Sequence, residues 1–333
     1  MTLTLRKYGE RDGEFLYEYV LTNHNGMRVT LMNFGATLEK VEVPSGDHLV
    51  DVILSLKKPE DYAAERNLLG STVGRIIGRL PGHVWHSGKR LLDLPAGEGP
   101  NHIHGGLDGL DRQVWTGTYR SEKSQDTVTF TYLDPDGHNQ FPGNVLVTVS
   151  YTLADDNAVT YSINAVTDQM TLFNPSNHVY FALDGPNTTI EDTTLTMASD
   201  YYGPLKAHMP LGWTSVADSP FDFRNGQRLG DVLQKVLDGA GFDHPFLLKN
   251  DHAVRLVGAS GRAMAMTTTA SALVMFTGNH FRGDGQGILG HFKPHAGLTL
   301  ETQVAPAAGL DWSGVTLMPG RPFNLKTKWA FTF

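Results

Sequence analysis

Hydrophobic and polar positions alternate with a period of two along most of the chain. Met27, Val29 and Leu31 alternate with Arg28 and Thr30 until Asn33-Phe34-Gly35-Ala36 breaks the run. Val128, Phe130 and Tyr132 form a second series. Val145, Val147, Val149, Tyr151 and Leu153 lead into the turn Ala154-Asp155-Asp156-Asn157, after which Val159, Tyr161, Ile163 and Ala165 resume. That pattern predicts a long-armed hairpin. The chain ends on a further alternation, with Trp329, Phe331 and Phe333 separated by Ala330 and Thr332. Helical spacing is scarce. Leu229, Val232, Leu233, Val236 and Leu237 fit one short helix, and Pro59 to Asn67 fit another, with Pro59 near its first turn.

Many strands at short intervals with no βαβ rhythm predict an all-β fold: a large antiparallel β-sandwich with few short helices. Length alone leaves one domain or two open. The 36 glycines and 17 prolines are spread through the chain rather than gathered in a linker. No repeat of 20–50 residues is present. A single domain over residues 1–333 is therefore expected.

Composition narrows the function classes. Hydrophobic residues at 40% and charged residues at 19% describe a globular protein with ample core. A formal charge of −8 argues against a phosphate-backbone binder, so no nucleic-acid partner is expected. With no cysteine, thiolate metal sites, disulfides and cysteine nucleophiles are excluded, which fits a reducing compartment. Neither a signal-peptide core nor an apolar run of about 18 residues is found, and a cytoplasmic protein without a membrane partner is expected.

Candidate chemistry lies in five places. Asn174-Pro175-Ser176-Asn177-His178-Val179-Tyr180-Phe181 puts His178 between polar and apolar neighbours, as a core histidine or as a ligand contact. Gly74-Arg75-Ile76-Ile77-Gly78-Arg79 sets two arginines among glycines but lacks the phosphate-loop pattern. In Asn101-His102-Ile103-His104-Gly105-Gly106 the two histidines would share one face if on a strand, yet no further metal ligands lie at suitable spacing, and Gly105-Gly106 implies a tight turn that favours His104 as a loop histidine facing a cavity. Gly241-Phe242-Asp243-His244 and Leu300-Glu301-Thr302-Gln303 each place an acid beside an apolar strand, as a turn residue or a positioned carboxylate.

Taken in order, these segments resemble the motifs of the aldose 1-epimerase, or galactose mutarotase, family. Asn33 to Leu38, Asp51 to Leu54, Pro220 to Arg224 and Phe276-Thr277-Gly278-Asn279 extend the resemblance over most of the chain. It implies a β-sandwich of the galactose mutarotase type with an open sugar cleft, no cofactor and no metal. It also implies a monomer or homodimer acting on a small sugar. Glu301 would be the base at the anomeric hydroxyl, His178 the acid at the ring oxygen, and His104 its assistant. Arg79, Asp243, Asn101, Tyr180 and Asn279 would hold substrate.

Ring opening needs one proton removed and another delivered around a single carbon. Acid and base must therefore approach from different directions, each within about 2.6–3.2 Å of its target. A histidine, with an ordinary pKa near ~6.5, suits the delivering role.

The sequence departs from the family pattern at Gly78, Ala182, the Val274-Met275 stretch and Ala305-Pro306-Ala307-Ala308, which implies an altered sugar grip. Three rivals follow from the same residues. Asp243 and Glu301 could serve a glycoside hydrolase, Arg75 and Arg79 a phosphosugar epimerase, and loss of catalysis would leave a sugar-binding protein.

Overall fold

The computed structural model describes residues 1–87, 90–249, 251–306 and 312–333. Its described residues form three large antiparallel sheets. The first runs in chain order from Thr2–Arg11 to His48–Asp51. The second has nine strands, including the predicted hairpin Val145–Ala154 and Ala158–Thr167, with Phe323–Thr332 beside it. The third has six strands, in the order Tyr180–Phe181, Leu298–Gln303, Ala272–Phe276, Asp243–Leu247, Tyr201–Tyr202 and Thr214–Ser215.

One core joins all three. Val147, Val149, Tyr161 and Trp329 of the nine-stranded sheet share it with Leu21, Val29 and Val41 of the first sheet. Phe246, Leu273, Met275, Leu298 and Leu300 enter it from the third. Period-two alternation produces this arrangement: when Leu298 and Leu300 point into the core, Thr299, Glu301 and Gln303 must point to the opposite face.

Both predicted helices are shorter than their spacing suggested. Of Pro59 to Asn67, only Asp61–Ala64 is helical. Over 229–239 the chain makes three successive 3₁₀ turns, Leu229–Asp231, Leu233–Lys235 and Leu237–Gly239. Leu229, Val232, Leu233 and Val236 still reach the core, but Leu237 and Asp238 adopt positive φ and break any continuous helix. Among the described residues no helix is long and apolar enough to cross a membrane.

Candidate active site

The outer face of the six-stranded sheet forms the floor of a cleft of about 710 Å³, within the range typical of small-molecule sites. Tyr180, Glu301, Gln303, Val274, Phe276, Asp243 and Pro245 line it, each at an alternate position of its strand. Register fixes the neighbours: Glu301 lies opposite Val274, Val274 opposite Pro245, and Asp243 opposite Phe276.

At its centre Glu301 Oε1 lies 3.2 Å from His178 Nε2, and both side chains are only 5% exposed. The Thr299 hydroxyl donates to the same carboxylate oxygen at 3.4 Å. His178 Nδ1 is buried without a hydrogen-bond partner. Burial, with the Asp243 carboxylate adding to it, pushes the Glu301 pKa up to about 8. Burial also takes His178 down to about 4. Between those values the pair carries one proton between two groups.

The structure brings His104 to this centre, as a loop histidine facing the cavity, and sends His102 elsewhere. The strand covers only His102–Ile103, and His104 turns to φ 49°. His102 is buried, with Nδ1 2.9 Å from the Pro95 carbonyl and its ring edge-on to Phe141. The His104 ring lies edge-on to His178 at 5.6 Å. Its Nδ1 accepts the Gly78 N–H at 3.2 Å, so the neutral ring carries its proton on Nε2. Burial, with His178 next, lowers the His104 pKa well below the usual range.

Gly105 makes this turn possible. It has φ 77°, and a Cβ there would lie 1.8 Å from the Gly74 carbonyl oxygen. Arg66 then fastens the loop, donating to the His104 carbonyl at 2.9 Å, the Gly106 carbonyl at 2.7 Å and both Asp111 oxygens at 2.7 and 2.8 Å. Nothing in the sequence singled out Arg66, whose partners lie 38 to 45 residues away.

The two arginines of the glycine-rich segment separate. Arg75 is buried, with Nε 2.5 Å from Asp134 Oδ2 and its other nitrogens on the Pro142 and Gly143 carbonyls and Thr171 Oγ1. Arg79 lines the cleft and spans Asp243 and Glu98. Burial outweighs that arginine and raises the Asp243 pKa.

Tyr180 is a cleft wall, its ring 5.2 Å from that of His178. Asn279 lines the cleft but its amide is held by the Phe242 carbonyl and Thr277 Oγ1. Asn101 does not line the cleft; its Oδ1 accepts the Gly82 N–H at 3.3 Å. His280, which sequence reasoning passed over, also lines it, stacked on Phe276.

Of the departures, Gly78 and Val274 face the cleft, whereas Ala182 packs in a core cluster with Leu54, Leu56 and Phe281. The expectation that Ala182 alters the sugar grip is corrected on that ground. Ala307 and Ala308 lie outside the described residues. Among the described residues no group of three or more His, Asp or Glu is placed to hold a metal ion.

A family model for aldose 1-epimerase matches residues 17–330. The chain is 31% identical to the aldose 1-epimerase of Escherichia coli K12, over 96% of each chain. It is 32% identical to the galactose mutarotase of Bos taurus, over 92% of this chain and 91% of that one. The crystal structure of galactose 1-epimerase from Lactobacillus acidophilus superposes with a TM-score of 0.93 at 40% identity, covering 99% and 98% of the two chains.

Proposed function

This chain belongs to the aldose 1-epimerase family, and we propose that its cleft interconverts the α and β anomers of a free aldose through the Glu301–His178 pair. The observation that carries the assignment is their 3.2 Å contact at the cleft floor. Opening the ring moves a proton from the anomeric hydroxyl to the enzyme and another from the enzyme to the ring oxygen. The C1–O5 bond breaks as the aldehyde forms, rotation about C1–C2 exposes the other carbonyl face, and closure reverses both transfers. A catalyst with one acid and one base in contact starts and ends each turnover with the same single proton.

Glu301 takes the proton from the anomeric hydroxyl and His178 delivers to the ring oxygen. Sugar hydroxyls bring hydrogen-bond partners to both groups, which favours the carboxylate and imidazolium forms that burial disfavours. His104, held neutral with its proton on Nε2, donates a hydrogen bond to sugar oxygen without giving up the proton. Arg79 and Asp243 hold hydroxyls at the cleft wall, and Tyr180 and Asn279 shape it. Asn101 supports the loop behind it.

The contact between Glu301 and His178 argues against the glycosidase rival, which needs two carboxyl groups acting on opposite sides of a bond. The burial of Arg75 against Asp134 removes one of the two cations a phosphosugar epimerase would use. A cytoplasmic setting accords with the cysteine-free composition.

The test is polarimetry on freshly dissolved single anomers of galactose, glucose, pentoses and reducing disaccharides. Acceleration of at least one neutral aldose is expected, and no acceleration of any of them overturns the assignment.

A further inference from the structure

Arg79 is the sole Lys or Arg among the described residues lining the cleft, which also carries the carboxyl groups of Glu98, Asp238, Asp243 and Glu301. Its guanidinium is already gripped. Nε donates to Glu98 Oε2 at 2.5 Å and Nη2 to Glu98 Oε1 at 2.9 Å, a parallel fork, while Nη1 reaches Asp243 Oδ2 at 3.4 Å. That fork is the geometry with which an arginine takes up a carboxylate or phosphate ligand.

Glu98 is not a loose surface acid that happens to fall there. Its main chain is closed into a tight turn with Asn101, by Glu98 N to Asn101 O at 3.1 Å and Asn101 N to Glu98 O at 3.0 Å. The Asn101 side chain accepts the N–H of Gly82, and the short strand pair beyond the turn sets Ile103 opposite Arg79. The fork and the turn together hold a negative charge over the guanidinium, while the Glu98 side chain stays 42% exposed at the cleft mouth.

We propose that Glu98 is a specificity-determining residue: it occupies the anion-binding face of Arg79 and so restricts this epimerase to neutral aldoses, excluding uronates and sugar phosphates. This rests on the epimerase reading above. An anionic sugar entering the cleft meets a carboxylate where its own charge would seek the arginine, and must displace it. A neutral sugar uses the remaining Arg79 N–H groups and Asp243 without that conflict.

Galactose and galacturonate differ only at C6 and make a matched pair. The test compares kcat/KM for both in the wild type, Glu98→Gln and Glu98→Ala, with calorimetric binding of galacturonate to each and circular dichroism to confirm folding. The galacturonate-to-galactose ratio is expected to rise by about tenfold or more in the variants, mainly through KM. That is the size expected for removing one partly solvated charge near the ligand, and it should shrink with added salt. An unchanged ratio with unchanged galacturonate binding in both variants overturns the proposal, as does a wild type that handles both sugars equally well. A wild type that accelerates no aldose overturns the epimerase reading instead, and the binding data alone then decide the role of Glu98.

Discussion

His178 Nε2 and Glu301 Oε1 stand 3.2 Å apart at the floor of the cleft, both side chains almost fully buried. Their pKa values are driven past one another, the carboxyl up to about 8 and the imidazole down to about 4. A pair shifted in this sense holds one proton across the neutral range, which is the stock an acid–base ring opening requires.

The pH dependence follows directly. Below about 4 both groups are protonated and no base remains; above about 8 both are deprotonated and no acid remains. The kcat/KM profile for a neutral aldose is expected to be a plateau bounded near those two values, which belong to the pair. Stopped-flow polarimetry between pH 3.5 and pH 9.5 (about the range set by these limits) checks it. A profile with a single rise centred near ~6.5, the free-histidine value, contradicts it.

Stability carries the same signature. Glu301 binds its proton more tightly in the folded state, at about 8 against an ordinary 4.5. Its contribution to stability is therefore full below about pH 4.5 and is lost as pH rises toward 8. Glu301→Gln removes that dependence. The variant is expected to gain on the wild type over this window, by on the order of 2–4 kcal/mol at pH 8. Urea unfolding at pH 5 and pH 8 measures it, and a variant-minus-wild-type stability difference that does not rise with pH contradicts it.

Arg66 holds the loop that carries His104, so its loss is expected to reach turnover through that histidine. Arg66→Ala leaves Asp111 buried without its partner and frees the His104 and Gly106 carbonyls. A loss of roughly 3–5 kcal/mol in stability is expected. At a temperature where the variant is still folded, kcat should fall more than sugar affinity.

His104 is assigned as a neutral donor, so its removal should lower the rate without moving the pH limits. His104→Ala is expected to lose about 10–100-fold in kcat/KM, of the size of a lost hydrogen bond to a charged group or more. His104→Gln, which keeps a donor, should recover part of it. A shift of either pH limit in His104→Ala assigns that limit to His104 instead.

Much of this was legible in the chain because strand alternation is a local signal. The hairpin Val145–Ala154 and Ala158–Thr167 stands where Val145 to Ala165 alternate, and the same period aims Glu301 away from Leu300. His178, His104, Arg79 and Asp243 line one cleft. What stayed hidden depends on backbone turns and distant partners. The positive φ of Leu237 and Asp238 divides one expected helix into 3₁₀ turns. Ala182 looked like part of the sugar grip because it departs from the family pattern after Tyr180-Phe181, but only tertiary packing shows it in the core. Arg66 and Glu98 carry no local pattern at all, since each takes its meaning from a partner distant in the sequence.

The most direct measurement pairs turnover with binding in Glu301→Gln. Polarimetric acceleration of a neutral aldose that the wild type converts is expected to fall by about 10³-fold, the scale of a lost general base, while calorimetric affinity for the same sugar stays within a few-fold. Near-wild-type acceleration in that variant contradicts the account.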